Sequence, residues 1–329
     1  MANRVIILLL FSLALSIKAS AETNIIPTAQ TYTYEKMSEN LVQLKNAYKD
    51  LLKIKILGYS HFGRKIYAVQ LGTGRKNVLL VGAHHGREWI TSMLLMKMLE
   101  TYAAAAESHM AIGKLHSELL NDVSLWFVPM LNPDGVTIQQ NQLQSFPPGQ
   151  QNYLMFMNEG WDDYIRWKAN GMGVDLNRQY PAGWKDLNTE QQSPSYQFYK
   201  GKAPLEAAEA AALVSFVNEI KPSIAVAYHT AGQEIYWKYK NGKNTKRDRA
   251  LAQKIAKLTG YKLAKPPKNA SGGGFTDWFI ATCHKPALTI EMSYLVGDRH
   301  PPLSVFNEEW KRNKLVGLKL ADEAKKLPD

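Results

Sequence analysis

The stretch Val78–Trp89 most strongly constrains what this chain can fold into, because a short apolar run leads there directly into a cluster of polar side chains. Val78–Val81 has the length and composition of a buried strand, and Gly82 lets the backbone turn with little side-chain bulk. The residues that follow place two imidazoles, a guanidinium and a carboxylate within one short turn. Open α/β sheets bind ligands at the C-terminal ends of such strands. The stretch therefore predicts an α/β fold with a site at this turn.

Two further apolar strands end in residues of the same chemical kind. Ile224–Tyr228 is followed by His229, and Ala287–Ile290 is followed by Glu291. Buried strands that alternate with helical segments indicate a single α/β domain with a largely parallel or mixed sheet. Each of three strands is thus followed by a residue that can bind a metal. This favours one shared site over histidines and carboxylates that have unrelated roles.

The ligand types at these strand ends indicate a catalytic zinc ion. His85 and Glu88 have the spacing of two ligands to one metal, and His229 is a third candidate ligand. Two histidines and one glutamate leave the fourth position of zinc for water, which is the catalytic rather than the structural arrangement. Zinc lowers the pKa of such a water from about 15.7 to about 7. Glu291 is available to take its proton and pass it to a leaving amine.

Hydrolysis of an amide also requires a cation near the developing oxyanion. Four basic residues are available for that role or for binding a substrate carboxylate: Arg87, Arg166, Lys168 and Arg178.

Each histidine or glutamate proposed for the metal site also has a simpler interpretation. A lone histidine more often lies in the core or at the surface, and a lone glutamate often caps a helix or forms an ion pair. The case for a site therefore rests on their joint position after strands.

The single cysteine, Cys283, excludes an internal disulfide and leaves a thiol peptidase as an alternative. Cys283 precedes His284, but no helix N-terminus follows that would stabilise a thiolate. The chain contains no HExxH motif, no GxSxG motif and no phosphate-binding glycine loop. A polar sequence context places His300 at the surface by default.

The first 21 residues have the features of a secretory signal peptide. Arg4 precedes the apolar run Val5–Ile17, and Ala19-Ser20-Ala21 has the small-x-small form that signal peptidase cleaves. The run is too short for a membrane span, although a retained anchor is the alternative, and no later run is long enough to cross a bilayer. We therefore predict a secreted protein, extracellular or in the cell wall, with residues 22–329 forming one catalytic domain.

The net positive charge of the chain indicates which kinds of partner it favours. The full chain has a formal charge of +11, and removal of the two basic residues in the signal peptide leaves +9. A basic exported protein favours anionic surroundings such as cell-wall polymers or acidic peptides. No nucleic-acid-binding signature is present in the sequence, so nucleic acid is not an expected partner.

A set of short motifs, in the same order and with similar separations, resembles the zinc carboxypeptidases of the M14 type. The motifs are HGREW, NPDG, GVDLNR, YHT, SGGGFTDW and TIE, and the resemblance runs from Tyr34 to the C-terminus. The segments WKANGMGVDLNRQYPAGW and YHTAGQEIYW are most similar to those of bacterial peptidases that cut the γ-D-glutamyl amide to meso-diaminopimelate in cell-wall peptides. The resemblance implies a three-layer α/β/α fold with a mixed, mostly parallel sheet of about eight strands.

The resemblance also implies the metal chemistry. It implies one zinc ion bound by His85, Glu88 and His229, with Glu291 as general base and acid. The function it favours is a secreted zinc metallopeptidase that hydrolyses the γ-D-glutamyl to meso-diaminopimelate bond of peptidoglycan peptides. The first alternative is a general metallocarboxypeptidase that removes C-terminal residues. The second is a catalytically silent wall-binding scaffold.

Other positions of the motifs imply substrate contacts. Asn177 and Arg178 fall where the family binds the terminal carboxylate of the substrate, and Arg87 falls where it contacts substrate near the metal. The family's oxyanion arginine follows a tryptophan, but here the order is Arg166, tryptophan, Lys168. Lysine is a point charge rather than a planar fork, so Arg166 and Lys168 both stay candidates for the catalytic oxyanion role.

Three further features concern the surroundings of the predicted site. Thr137–Asp163 lacks clear periodicity, which predicts an irregular excursion on the rim of the site. The family's mobile tyrosine has no counterpart in the segment 267–270, and Tyr261 lies further back, so no residue is assigned that role. Thr276 falls near the specificity pocket but is neither charged nor large, so it does not select a substrate class.

Overall fold

The computed structural model describes residues 24–189, 191–265 and 272–328. The predicted signal peptide, residues 1–21, lies outside the described residues, and so does the segment 267–270, where the family's tyrosine has no counterpart. Within the described ranges, no helix is long and apolar enough to cross a membrane.

Strands and helices alternate along most of the described chain. The strands are β1 (Leu52–Tyr59), β2 (Lys65–Leu71), β3 (Lys76–Val81), β4 (Ala111–Ile112), β5 (Leu115–His116), β6 (Val123–Val128), β7 (Ile224–Thr230), β8 (Glu234–Tyr236), β9 (Lys262–Leu263) and β10 (Ala287–Met292). The helices are α1 (Tyr34–Ala47), α2 (Ile90–Glu107), α3 (Leu119–Asp122), α4 (Pro133–Gln139), α5 (Gln150–Met157), α6 (Ala208–Ile220), α7 (Thr245–Thr259), α8 (Phe275–Cys283), α9 (Phe306–Asn313) and α10 (Val316–Lys326).

Eight of these strands form one mixed sheet in the order β1-β2-β6-β3-β7-β10-β8-β9. The four central strands, β6, β3, β7 and β10, run parallel to one another. The hairpin β1–β2 pairs antiparallel with β6 at one side, and β8 pairs antiparallel with β10 at the other. The mixed, mostly parallel sheet of about eight strands is therefore confirmed. The strands β4 and β5 form a separate small hairpin.

The central strands are apolar on both faces because helices cover both sides of the sheet. Along β3, Val78 and Leu80 belong to one buried core, which includes residues of α1, α2 and α10. Leu79 and Val81 point the other way and belong to a second core, which includes residues of α6 and α8. This alternation follows from the two-residue period of a strand. It produces the three layers, helix, sheet and helix, that the sequence predicts.

The excursion Thr137–Asp163 is more regular than predicted. The helix α4 extends to Gln139, and α5 forms a further short helix. The start of α4 is the NPDG motif: Oδ1 of Asn132 accepts a hydrogen bond of 2.9 Å from the backbone N–H of Gly135, and Pro133 occupies the first turn. An asparagine cap followed by proline is a typical helix start, whereas the sequence motif alone predicts only a turn there.

His300 packs against the start of α2 and is half-buried, so it is less exposed than its polar sequence context predicts. Its ring stacks on Trp89 with the centroids 3.7 Å apart and the planes 9° from parallel. Burial lowers the pKa of His300 to about 4, so the neutral ring donates from Nδ1 to the backbone oxygen of Arg87 at 3.3 Å. The contact joins residues far apart in the chain, which a local polar context does not reveal.

Candidate active site

His85, Glu88 and His229 lie together at the C-terminal edge of the central strands. All three are buried, and their potential ligand atoms lie within 4.8 Å of one another. Oε1 of Glu88 is 2.8 Å from Nδ1 of His85, and Oε2 is 2.8 Å from Nδ1 of His229. The two Nδ1 atoms are 3.2 Å apart. Three donor groups from two strand ends therefore converge on one point.

The local backbone explains why His85 and Glu88 face the same point. A single turn of 3₁₀ helix, Gly86–Glu88, follows His85, and residues three apart on such a turn stand on the same side. Gly86 permits a close approach here, because a Cβ atom at this position would lie 2.4 Å from the backbone oxygen of Gly135. The turn thus packs directly on the start of α4.

The donor set fits a zinc ion. Two imidazoles and a carboxylate are zinc's usual ligands in sites that keep one position open for chemistry. The second nitrogen of His85, Nε2, lies 3.1 Å from Oδ1 of Asp175, which is the outer contact that orients a metal-binding histidine. Burial alone would raise the pKa of Glu88, but His85 and His229 hold it well below its usual range. The carboxylate is therefore ionised, as a metal ligand must be.

Glu291 stands beside this group on β10. Its backbone pairs with His229 of β7 on one side and with Glu234 of β8 on the other. Burial raises the pKa of Glu291 to about 7, although nearby His229 and Lys168 act in the opposite direction. A carboxyl group with that pKa can exist in both protonation states near neutral pH.

Asp175 connects the metal group to the basic residues of the site, and sequence reasoning missed it. Oδ1 contacts His85 and accepts a 3.0 Å hydrogen bond from the backbone N–H of Asn177. Oδ2 lies 2.5 Å from Nη1 of Arg178 and 3.4 Å from Nζ of Lys168. Burial would raise the pKa of Asp175, but Arg178 and Lys168 hold it well below its usual range. The available signal was a lone aspartate inside GVDLNR.

An open cavity of about 530 Å³ lies in front of these residues. Eight of the nine candidate site residues line it: His85, Arg87, Glu88, Lys168, Asn177, Arg178, His229 and Glu291. The cavity also reaches Thr276 and the residues after β8. The structure therefore brings nearly the whole predicted set to one place.

The remaining candidate, Arg166, does not line the cavity. Its guanidinium lies 4.1 Å from the ring centroid of Tyr196 and forms a 3.0 Å ion pair with Glu159. Lys168, two residues later, is buried and lines the cavity, with Nζ 4.6 Å from the ring centroid of Phe198. The geometry thus places Lys168 in the cavity and Arg166 outside its lining, although the sequence makes both candidates for the oxyanion role.

Arg87 is held in place on the rim. Its Nη1 donates to the backbone oxygen of Arg166 at 3.1 Å and to Oε1 of Gln197 at 3.3 Å. Its Nη2 forms a 2.9 Å ion pair with Asp298, whose side chain is exposed. Asn177 is anchored differently, because its Oδ1 accepts a 3.0 Å hydrogen bond from the backbone N–H of Phe275 at the start of α8.

Three other candidate residues, His84, Cys283 and Tyr261, are not members of the metal group. His84 is buried behind His229, and burial lowers its pKa well below the usual value. Cys283 ends α8, and burial raises the pKa of its thiol, which disfavours the thiolate that a thiol peptidase needs. The hydroxyl of Tyr261 donates to Glu309 on α9, and Tyr261 does not line the cavity.

Comparisons with known proteins agree with this fold. The chain matches the family model described as zinc carboxypeptidase over residues 37–315. It is 32% identical over 284 residues to gamma-D-glutamyl-L-diamino acid endopeptidase 1 of Lysinibacillus sphaericus, covering 84% of this chain and 69% of that protein. It is 32% identical over 240 residues to the uncharacterized protein YqgT of Bacillus subtilis, covering 72% of this chain and 63% of that protein.

A solved structure supports the same conclusion for the fold. Bovine thrombin-activatable fibrinolysis inhibitor, in complex with tick carboxypeptidase inhibitor, superposes with a TM-score of 0.73 at 17% identity, covering 91% of this chain and 99% of that one.

The family match spans most of the sequence, and the chain belongs to the zinc carboxypeptidase family. It is therefore a metallopeptidase whose metal is zinc, in agreement with the His-Glu-His group of the site.

Proposed function

We propose that this protein is an exported zinc peptidase that hydrolyses the γ-D-glutamyl to meso-diaminopimelate amide of cell-wall peptides. Amide hydrolysis is supported chiefly by the buried group of His85, Glu88 and His229 beside Glu291. The substrate is supported by the similarity to a gamma-D-glutamyl-L-diamino acid endopeptidase over most of the chain. Export is supported by the signal-peptide features of residues 1–21.

The residues of the cavity can divide the work of hydrolysis among them. His85, Glu88 and His229 would hold the zinc, which when bound supplies a Lewis acid that activates water near neutral pH. Glu291 accepts a proton from the attacking water and transfers it to the amine as the amide C–N bond breaks. The new carboxyl group stays on the glutamyl side, and diaminopimelate leaves with a free amine.

Basic residues stabilise the charges that develop or arrive with the substrate. Lys168 lies in the cavity and is the residue we assign to the developing oxyanion. Arg178 and Asn177 bind the carboxylate of the leaving amino acid, for which the planar guanidinium is well suited. Asp175 positions this set, because its two oxygens face His85 on one side and Lys168 and Arg178 on the other.

A paired hydrolysis assay tests the proposal. The mature protein is given L-Ala-γ-D-Glu-meso-diaminopimelate and, separately, a plain peptide with a free C-terminus, each with and without a zinc chelator. Cleavage of the first peptide alone, abolished by the chelator, is the expected result. Cleavage of the plain peptide alone would move the function to a general carboxypeptidase. Cleavage of neither would favour the silent wall-binding scaffold.

Export has its own test. Protein recovered from the culture medium is subjected to N-terminal sequencing, and the expected first residue is Glu22. A mature chain that begins at Met1 and stays with the cells would contradict the signal-peptide proposal.

A further inference from the structure

The described wall of the cavity carries four cationic side chains, only two of which have a role in the proposed mechanism. They are Arg87, Lys168, Arg178 and Lys238. Three carboxylates line the same cavity: Glu88, Asp277 and Glu291. Glu88 is committed to the metal, whose own charge is positive. The cavity is therefore suited to a substrate that brings several negative charges.

Lys238 differs from the other three cations in its ion pairing within the described part of the chain. Arg87 is paired with Asp298, and Asp175 lies against both Lys168 and Arg178. No carboxylate among the residues that the structure describes forms an ion pair with Lys238, and its side chain is exposed. An unpaired ammonium group that lines a substrate cavity is free to bind an anion there.

The position of Lys238 follows from the pairing of β8 with β10. Glu234 is opposite Glu291, and Tyr236 is opposite Thr289, so β8 runs from the catalytic edge toward the depth of the sheet. Lys238 comes two residues after Tyr236 on this path. It therefore extends the cavity wall beyond Tyr236 and Thr289, on the side away from Glu291.

We propose that Lys238 binds the second, distal carboxylate of diaminopimelate and makes the site select this amino acid over lysine. The inference rests on the proposed function. Three methylene groups separate the two centres of diaminopimelate, and each centre carries a carboxylate. Arg178 and Asn177 bind the first carboxylate, and the ammonium group of Lys238 binds the second. Lysine is the same molecule without the distal carboxylate, so it cannot use Lys238.

The matched pair of substrates gives a direct test. Wild-type protein and the variants Lys238→Ala and Lys240→Ala are assayed on L-Ala-γ-D-Glu-meso-diaminopimelate and on L-Ala-γ-D-Glu-L-Lys. Lys240 is an exposed lysine on the same segment that does not line the cavity. We expect Lys238→Ala to lower kcat/KM about 10-fold for the diaminopimelate peptide and to leave the lysine peptide unchanged, because a charge-assisted bond is lost only with the first. Lys240→Ala should change neither value.

A binding measurement keeps the inference separate from the proposed function. Free meso-diaminopimelate and free L-lysine are titrated into zinc-loaded wild-type and Lys238→Ala proteins by calorimetry. Wild-type protein should bind diaminopimelate more tightly than lysine, and the variant should lose that preference. Failure of the wild type to cleave either peptide would overturn the proposed function, and the titration would still decide the role of Lys238. Equal losses on both ligands or both peptides would overturn that role.

Discussion

The two halves of the active site are positioned by different means. The strand half, His85, Glu88, His229 and Glu291, follows or ends the strands β3, β7 and β10, and backbone pairing between those strands sets its spacing. The loop half, Lys168, Asp175, Asn177 and Arg178, lies in a region between α5 and α6 where the structure describes no strand. Side-chain hydrogen bonds and ion pairs hold that half in place, together with isolated backbone hydrogen bonds such as the 2.8 Å bond from the N–H of Asp175 to the oxygen of Tyr199.

The loop half depends on two buried polar residues. Asn170 accepts 3.0 Å hydrogen bonds at Oδ1 from the backbone N–H groups of Met172 and Val174, and its Nδ2 donates to Glu209 at 3.1 Å. Asp175 then connects the loop to His85. The comparison shows that a regular ladder of backbone hydrogen bonds positions the strand half, whereas the loop half has no such ladder and depends more on individual side chains. Substitutions should therefore act on chemistry in one half and on positioning in the other.

The largest effect is expected from Glu291→Gln in the strand half. The amide keeps the shape of the side chain but cannot accept the proton of water, so kcat should fall about 10²- to 10⁴-fold. Zinc content, measured by atomic emission, should be unchanged because Glu291 is not among the proposed ligands. A variant that keeps its turnover would remove Glu291 from the role of base.

Removal of zinc should destabilise the whole molecule, since the metal ligands come from separate strand ends. Binding to the folded state alone adds about 4 kcal/mol when free zinc is 1,000 times its dissociation constant. Thermal unfolding with and without a chelator measures this difference. An unchanged melting temperature would mean that the strand half needs no metal to hold its arrangement.

A matched pair of substitutions separates the two basic candidates near the loop half. Lys168→Met should lower kcat about 10²- to 10³-fold, as loss of one oxyanion-stabilising group commonly does. Arg166→Met should change kcat little, because that side chain contacts Tyr196 and Glu159 outside the cavity. The reverse pattern would assign the oxyanion role to Arg166.

The stability of the loop half should depend on pH through Glu209. Burial raises the pKa of this carboxyl group from 4.5 to about 7. The folded state therefore favours the protonated form, and its contribution is present below pH 4.5 and lost as pH rises through 7. Relative to Glu209→Gln, the wild type should lose about 3 kcal/mol of unfolding free energy between these values. Urea unfolding in chelator, at pH 4.5 and pH 8, measures the change, and a constant difference between the two proteins would contradict it.

The smallest effect is expected from Asp175→Asn. The amide can still contact His85 but no longer balances the charges of Lys168 and Arg178. Substitution of such an outer partner of a metal ligand commonly costs about 10- to 100-fold in metal affinity or activity. Competition with a fluorescent chelator measures zinc affinity, and Asp162→Asn, at an exposed position, is the control. Equal behaviour of the two variants would show that Asp175 does not join the halves.

Sequence reasoning identified the strand half more completely than the loop half. An apolar run marks a buried strand, and a histidine or glutamate directly after it is conspicuous, as with His85 and Glu291. The strands themselves extend slightly further than predicted, so that His229 and Glu291 lie inside β7 and β10. Asp175 has no such marker, because its partners are brought to it only by the fold. The short strand β8 and the helix α8 are not predicted from the sequence for a related reason. Each is too short to show a clear strand or helix periodicity.

The helix α2 leads from the active site to a distant part of the molecule. It begins directly after the metal-binding turn and runs for 18 residues to Glu107, a length of about 27 Å at 1.5 Å per residue. The small hairpin of β4 and β5 follows that distant end. A dye, an affinity tag or a surface tether attached to the exposed amine of Lys114, in the turn of the hairpin, would thus stand about a helix length from the bond being cut. The protein offers a natural handle for immobilisation on the side opposite its substrate.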